Sequence, residues 1–177
     1  MAPILDGHTL EFLSRSPAQT RRLGARLGAL LQGGDVVCLE GELGSGKTCL
    51  TQGIGRGWGT GQTLVSPTFV LVREYARLED DTTLYHVDLY RISGAEEALT
   101  LGMDEFLGDV RGVCVIEWAE RARSLIPSEC LWVKLAFADR PGRSGQAGQN
   151  RRALYFEAQG ERHVALLQEF RQAAFGV

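Results

Sequence analysis

The chain is 177 residues long, with 19 lysine and arginine residues, 22 aspartate and glutamate residues, and a formal net charge of −3. This length predicts one domain, residues 1–177, with a substantial core, and a hydrophobic fraction of 44% is ordinary for a soluble globular protein. The negative charge argues against a broad nucleic-acid surface, because phosphate contacts need lysine and arginine. A small basic patch, or a partner that holds the nucleic acid, stays compatible with it.

The sequence indicates neither a membrane anchor nor a secretion signal. No apolar run approaches the roughly 20 residues of a membrane helix. The first 12 residues lack both a basic start and a long apolar segment. The four cysteines form no C-x-x-C pair, and Cys38 and Cys114 lie in apolar runs, so we expect core thiols rather than zinc ligands or disulfides. These features predict a cytoplasmic protein without membrane contact.

A strand and an amphipathic helix are the first predicted elements. Residues 8–13 alternate loosely between apolar and polar types, as a strand does. Ser16 followed by Pro17 is typical of a helix N-cap and first helical position. Four leucines between residues 23 and 31 fall on one face of this helix, and Gly33 and Gly34 are expected to end it.

The next segment, residues 41–48, fits the phosphate-binding pattern G-x-x-x-x-G-K-[ST] at every fixed position. An apolar run at residues 36–39 predicts a buried parallel strand before it, and residues 48–56 can form a helix before Gly57 and Gly59. Such a loop turns its backbone N–H groups inward, and the helix N-terminus adds partial positive charge. The alternative is a glycine-rich turn that binds nothing. We predict a nucleotide site whose contacts are Gly41, Glu42, Leu43, Gly44, Ser45, Gly46, Lys47 and Thr48.

Strands and helices continue to alternate after this loop. Residues 69–75 and 84–89 favour strands joined by a polar turn, which predicts an antiparallel hairpin beside the nucleotide site. The later expected elements are a capping box opening a helix at residues 93–107, a buried strand at 113–116, a short helix at 119–125, a strand pair at 131–138 and 152–158, and a helix at 161–174. Residues 139–151 are rich in Gly, Gln and Arg and are expected to form a mobile loop. The predicted fold class is α/β, a P-loop NTPase-like three-layer sandwich with a mostly parallel central sheet and antiparallel edge hairpins.

Glu117 is the first candidate outside the loop, because it ends an apolar strand. Ligands of open α/β sheets bind outside the carboxyl ends of the strands, so a carboxylate there is well placed to bind magnesium directly or through water. The alternative is a helix cap or a surface carboxylate. Trp118 beside it either lines the nucleotide pocket or packs as an ordinary aromatic residue.

Asp88 and the segment around Ser66 are further candidates. Asp88 follows a strand and is placed either to position the attacking water or to hold a magnesium-bound water, although ordinary edge-strand polarity explains it equally well. Ser66 and Thr68 flank a proline, in a turn that either senses the γ-phosphate as a switch or is a plain proline turn. Four arginines of the glycine-rich segment either clamp phosphate, contact RNA or are simply solvated, and solvation is the default for such a loop: Arg140, Arg143, Arg151 and Arg152.

Four motifs together carry a family resemblance: GELGSGKT at residues 41–48, SPTF at 66–69, HVDLYR at 86–91 and IEW at 116–118. In order and spacing they resemble the TsaE (YjeE) family, the bacterial P-loop ATPases needed to make threonylcarbamoyladenosine in tRNA. The resemblance covers about residues 14–132. The glycine-rich loop alone is not specific, but the combination is.

The resemblance implies roles for individual residues. Lys47 would bind the phosphates of ATP, Thr48 and Glu117 would hold Mg²⁺, and Asp88 would support hydrolysis. Ser66 and Thr68 would belong to a switch-like loop, and Arg140 would contact the base. The family also implies TsaD and TsaB as partners. That heterodimer transfers the threonylcarbamoyl group to adenosine in tRNAs that read codons starting with A, so contact with tRNA would be indirect.

Two other classes compete with an ATPase. A small-molecule or nucleotide kinase shares the loop, and residues 139–152 could mimic an arginine-bearing lid, but the sequence has no recognisable acceptor motif. A GTPase is excluded because guanine recognition rests on an N-K-x-D segment, and the chain's only asparagine is Asn150. No in-cis arginine finger is evident, so we expect slow intrinsic hydrolysis that partners complete.

Overall fold

The computed structural model describes residues 7–67, 71–138 and 150–176. Within these ranges the strands are β1 (Thr9–Ser14), β2 (Val36–Glu40), β3 (Val72–Ala76), β4 (Thr83–Asp88), β5 (Gly112–Glu117), β6 (Cys130–Phe137) and β7 (Arg152–Gln159). The helices are α1 (Pro17–Gly28), α2 (Lys47–Trp58), α3 (Ala95–Leu99), α4 (Met103–Leu107) and α5 (Glu161–Phe175), with a 3₁₀ helix at Ala119–Leu125. No described helix combines the length and apolar character that crossing a bilayer requires.

One seven-stranded sheet has the order β1-β7-β6-β2-β5-β4-β3. The four central strands β6, β2, β5 and β4 run parallel to one another. Antiparallel pairing occurs at the edges, where β3 pairs with β4 and β7 pairs with both β6 and β1. This arrangement confirms the predicted mixed sheet and sets the carboxyl ends of β2, β5 and β4 side by side.

Two buried clusters cover the two faces of this sheet. On one face, side chains of α1, α2 and α5 pack against alternate residues of the strands, including Val37 and Leu39 of β2. On the other face, α3, α4 and the 3₁₀ helix pack against the intervening residues, including Val36 and Cys38. The predicted three-layer sandwich is therefore confirmed. All four cysteines are free, and burial raises the pKa of Cys114 to about 12, as expected of a core thiol.

The glycine-rich seam between α1 and α2 brings the two helix backbones into direct contact. At each of four glycines, an added Cβ would lie 1.9–2.4 Å from a backbone oxygen of the facing helix. These glycines are Gly24 and Gly28 of α1 and Gly53 and Gly57 of α2. The sequence interpretation of Gly57 as a helix breaker is wrong, because α2 continues to Trp58 and ends at Gly59, whose φ is 97°.

One predicted helix is divided in the structure. Residues 93–107 form α3 and α4 instead of a single helix, because Gly102 between them adopts φ 73°. The predicted capping box is also wrong: Gly94 is the N-cap, and Ser93 donates from its N and Oγ to Glu97 Oε2 at 2.9 and 2.7 Å.

A buried polar cluster ties α5 to the start of β2. Arg162 donates from Nε and Nη2 to the two carboxylate oxygens of Asp35 at 3.0 and 2.6 Å. His163 is 2% exposed, and its Nε2 accepts a hydrogen bond from Val36 N at 3.4 Å. Burial lowers the pKa of His163, as does Arg162, while Asp35 and Glu129 oppose the shift.

Acid should therefore destabilise the protein through His163. Because its folded pKa lies below the ordinary 6.5, the unfolded chain binds the proton more readily. The stabilisation is complete above about pH 6.5 and falls as the pH drops toward the folded pKa. We expect chemical denaturation to show a steeper stability loss between pH 7 and 5.5 for the wild type than for His163→Gln, which retains an acceptor for Val36 N–H. Equal pH slopes for the two proteins would contradict this.

Candidate functional site

The glycine-rich loop, residues 41–48, joins the end of β2 to the first turn of α2. Gly41, Gly44 and Gly46 have φ values of 148°, 77° and 105°, so the turn depends on residues without a Cβ. A Cβ on Gly41 would also lie 2.3 Å from the carbonyl oxygen of Leu135. The side chains of Glu42 and Leu43 are exposed, whereas that of Ser45 is fully buried. The chain thus forms a tight glycine-dependent turn between strand and helix where the motif predicts one, and the binding of phosphate stays a prediction.

Lys47 lies inside the curve of this loop and is 4% exposed. Its Nζ donates to the carbonyl oxygens of Gly41 at 2.5 Å and Glu42 at 3.0 Å. The ammonium also lies 3.8 Å from the centroid of the Trp118 ring, a cation–π geometry. Burial lowers the pKa of Lys47, and the carboxylates of Glu117, Glu120 and Asp88 oppose that shift. The side chain is therefore held in place by contacts with the protein itself.

Glu117 links the loop to the neighbouring strands. It is 2% exposed and pairs in register with Leu39 of β2 and Asp88 of β4. Thr48 Oγ1 donates to its Oε2 at 2.8 Å, and His86 Nε2 lies 2.8 Å from its Oε1. Both carboxylate oxygens are thus engaged, one by the first turn of α2 and one by β4.

Asp88 ends β4 beside Glu117 and is 4% exposed. Its Oδ2 accepts from Ser66 Oγ at 3.0 Å, and its Oδ1 accepts from Tyr90 N at 2.9 Å. Ser66 therefore lies directly beside this acidic residue. Thr68, the other switch candidate, lies outside the described residues.

Trp118 forms a wall of the site. It has φ 61° and lies at the start of the 3₁₀ helix, where its ring packs 5.1 Å from that of Tyr90. A cleft of about 270 Å³ lies between this wall, the loop and the ends of β4 and β5. It is lined by Leu43, Gly44, Gly46, Lys47, Thr48, Cys49, Ser66, Asp88, Tyr90, Glu117 and Trp118. Gly41 and Glu42 line a second cavity of about 500 Å³ on the other side of Trp118, together with Glu120 and Lys134.

Arg152, one of the four arginines for which a phosphate clamp was among the sequence interpretations, contacts the glycine-rich loop. Its Nη2 donates to the carbonyl oxygen of Gly44 at 3.1 Å, and its guanidinium lies 4.2 Å from the Phe137 ring. Solvation as the default for this arginine is thus wrong. The contact follows from the pairing of Phe137 with Arg152 across β6 and β7, within the strand pair that the sequence predicted at residues 131–138 and 152–158. Arg140, predicted to contact the base, lies outside the described residues.

The fold and the site together define a class of protein. A sheet with parallel central strands carries a glycine-rich loop with a buried lysine after one strand and a buried carboxylate at the end of the adjacent strand. This is a P-loop NTPase-like α/β protein.

Comparison with known proteins identifies the family within that class. A family model described as "Threonylcarbamoyl adenosine biosynthesis protein TsaE" matches residues 14–144. Two proteins named "tRNA threonylcarbamoyladenosine biosynthesis protein TsaE" are among the relatives. The one from Treponema pallidum is 42% identical over 124 residues, 70% of this chain and 88% of its own length. The one from Bacillus subtilis is 34% identical over 160 residues, 90% of this chain and 92% of its own length.

A solved structure agrees with this assignment. The crystal structure of Bacillus subtilis YdiB is 30% identical and superposes with a TM-score of 0.70, covering 93% of this chain and 95% of that one. The chain belongs to the TsaE family. Its role accordingly lies in the biosynthesis of threonylcarbamoyladenosine in tRNA, and the family resemblance of its four motifs is confirmed.

Proposed function

We propose that the protein binds ATP with Mg²⁺ in the 270 Å³ cleft and hydrolyses it, as the ATPase component that supports TsaB–TsaD. The observation that carries the proposal is the contiguous set formed by Lys47, Thr48, Glu117 and Asp88. In this set a fixed ammonium lies within the phosphate loop, and a hydroxyl–carboxylate pair lies at its side.

The residues present suit Mg²⁺. The ion prefers oxygen ligands and is commonly held by one or two protein groups together with substrate phosphates. Thr48 Oγ1 and the Glu117 carboxylate supply such oxygens at one place, and Asp88 lies next to them in register. No group of three or more His, Cys, Asp or Glu side chains suited to a metal occurs among the described residues. When bound, Mg²⁺ would neutralise charge that develops on the phosphates.

Each residue then has a defined task. Backbone N–H groups of the loop and Lys47 would hold the phosphates, and Lys47 would stabilise negative charge on the transferred group. Asp88, fixed by Ser66 and by the backbone of Tyr90, would orient the attacking water. Trp118 shields Lys47 from solvent on one side of the cleft.

Two features at the edge of the cleft support the proposal that hydrolysis depends on partner proteins. No arginine lines the cleft within the described part of the chain, so the positive charge that accelerates phosphoryl transfer is incomplete there. Three apolar side chains are exposed close to the cleft, namely Leu43 at 71%, Val65 at 55% and Tyr90 at 39%. Exposed apolar groups beside a polar cleft favour docking of another protein. TsaB–TsaD would order this edge, and tRNA would be contacted only through the complex.

The proposal predicts a partner-stimulated ATPase. Purified protein should release phosphate from ATP slowly, and addition of TsaB–TsaD with tRNA should raise the rate by about tenfold or more, in line with completion of a phosphoryl-transfer site in trans. Phosphate release can be followed continuously, with TsaB–TsaD alone as the blank. A rate that TsaB–TsaD leaves unchanged would contradict the partnership. Label from γ-phosphate on a small-molecule acceptor would instead establish a kinase.

A further inference from the structure

His86 is a buried residue in β4 that the proposed chemistry does not use directly. It is 0% exposed and lies opposite Val115 of β5. It is absent from the residues that line the cleft, so it touches neither nucleotide nor solvent there. Any effect it has on the site must act through another side chain.

That other side chain is Glu117. A carboxylate oxygen can only accept, so the 2.8 Å contact requires His86 Nε2 to donate its hydrogen to Glu117 Oε1. The opposite oxygen, Oε2, accepts from Thr48 Oγ1 at the same distance. Two donors from two different elements therefore fix both the position and the rotation of this carboxylate.

The other ring nitrogen shows what the histidine contributes. His86 Nδ1 is buried and has no hydrogen-bond partner within the described ranges. Among the described residues, the imidazole ring of His86 therefore makes its one hydrogen bond to Glu117. A histidine kept only for packing would be replaceable by an apolar side chain, whereas this one compensates the burial of a carboxylate.

We propose that His86 is a positioning residue, which orients Glu117 so that Oε2 faces Thr48 and the Mg²⁺ site. This inference rests on the proposed function. The imidazole donates to Oε1 of Glu117 and so directs Oε2 toward the hydroxyl of Thr48 on α2. Residues that hydrogen-bond to a metal-binding carboxylate commonly orient it in this way. β4 therefore contributes two residues to the site: Asp88 at its end, and His86 two residues earlier on the same face of the strand.

Two amide substitutions separate positioning from packing. His86→Gln carries an amide Nε2 that can reach Glu117 Oε1, while His86→Asn has the same amide on a side chain one methylene shorter. Binding of a fluorescent ADP analogue is measured without Mg²⁺ and then across a Mg²⁺ titration. His163→Gln, a change at a buried histidine in the α5–β2 cluster, is the control. Circular dichroism reports the fold of each variant.

We expect His86→Asn to need about 10- to 100-fold more Mg²⁺ for half-maximal enhancement of binding, the cost usual for losing an outer partner of a metal site. His86→Gln and His163→Gln should stay within about threefold of wild type, and Mg²⁺-free binding should be unchanged in all three.

Equal Mg²⁺ requirements for His86→Asn and wild type would overturn the inference. So would an equal loss in His86→Gln and His86→Asn, or loss of fold in both, because the ring would then serve packing. A wild type that binds nucleotide without any Mg²⁺ response would overturn the proposed metal site and this inference with it.

Discussion

Lys47→Ala is expected to abolish ATP turnover, with a loss of at least about 100-fold, the scale for removing one group that stabilises transition-state charge. The side chain is the buried ammonium of the phosphate loop, where its Nζ bridges two loop carbonyls. Its removal takes away the charge that would meet the β- and γ-phosphates and also loosens the loop itself. Nucleotide affinity should therefore fall together with the rate, as measured by phosphate release and by binding of a fluorescent ADP analogue.

The chain offers a matched control for this change. Lys134 is the other lysine of the sequence, 63% exposed and ion-paired with Glu40 at 3.5 Å. A surface pair of this kind contributes little, so Lys134→Ala should leave turnover within about twofold of wild type. If Lys47→Ala retained near-normal turnover, the assignment of this cleft to the triphosphate would be wrong.

Glu117→Gln should separate nucleotide binding from hydrolysis. The amide keeps the shape and one acceptor for His86, but it loses the negative charge beside Thr48. Turnover should drop by about 100-fold or more, because the amide would hold Mg²⁺ less well and the site would lose the cation that stabilises negative charge in the transition state. Binding of the ADP analogue without Mg²⁺ should stay close to wild type, while its enhancement by Mg²⁺ should be lost.

Glu120→Gln is the control for charge. Both carboxylates act on the pKa of Lys47, but Glu120 lines the second cavity and lies outside the network of Thr48 and His86. We expect its substitution to preserve Mg²⁺-enhanced binding. Loss of that enhancement in both variants would show that total negative charge near Lys47 matters rather than the placement of Glu117.

The sequence predicted the parts of the site that local motifs encode. The loop with Lys47 and Thr48 follows from glycine spacing, and Glu117 and Asp88 follow from their position after apolar strands. These are features of a single segment and need no knowledge of its neighbours. The element order and the mixed sheet were predictable for the same reason. Apolar runs indicate the strands and helices, and turn residues indicate where they end.

Contacts between segments were less predictable. Strand alternation places His86 on the same face as Asp88, but the pairing of His86 with Glu117 depends on the register in which Asp88 lies opposite Glu117. The position of Trp118 over Lys47 depends on a backbone with φ 61°, which is uncommon for a residue with a side chain. The break between α3 and α4 had a visible signal in Gly102, which the apolar periodicity outweighed.

The glycine seam between α1 and α2 has a consequence for how the chain can change over evolution. Gly24, Gly28, Gly53 and Gly57 face backbone atoms rather than side chains, and backbone atoms cannot rotate away from a new methyl group. Any replacement would push the two helices apart, and α2 begins with Lys47 and Thr48. At these positions, tolerance of substitution is therefore set by how close the facing helix backbone lies, and not by the distance of the residue from the cleft. Glycine is a residue type typical of loops, yet these four helical glycines are among the positions that tolerate substitution least.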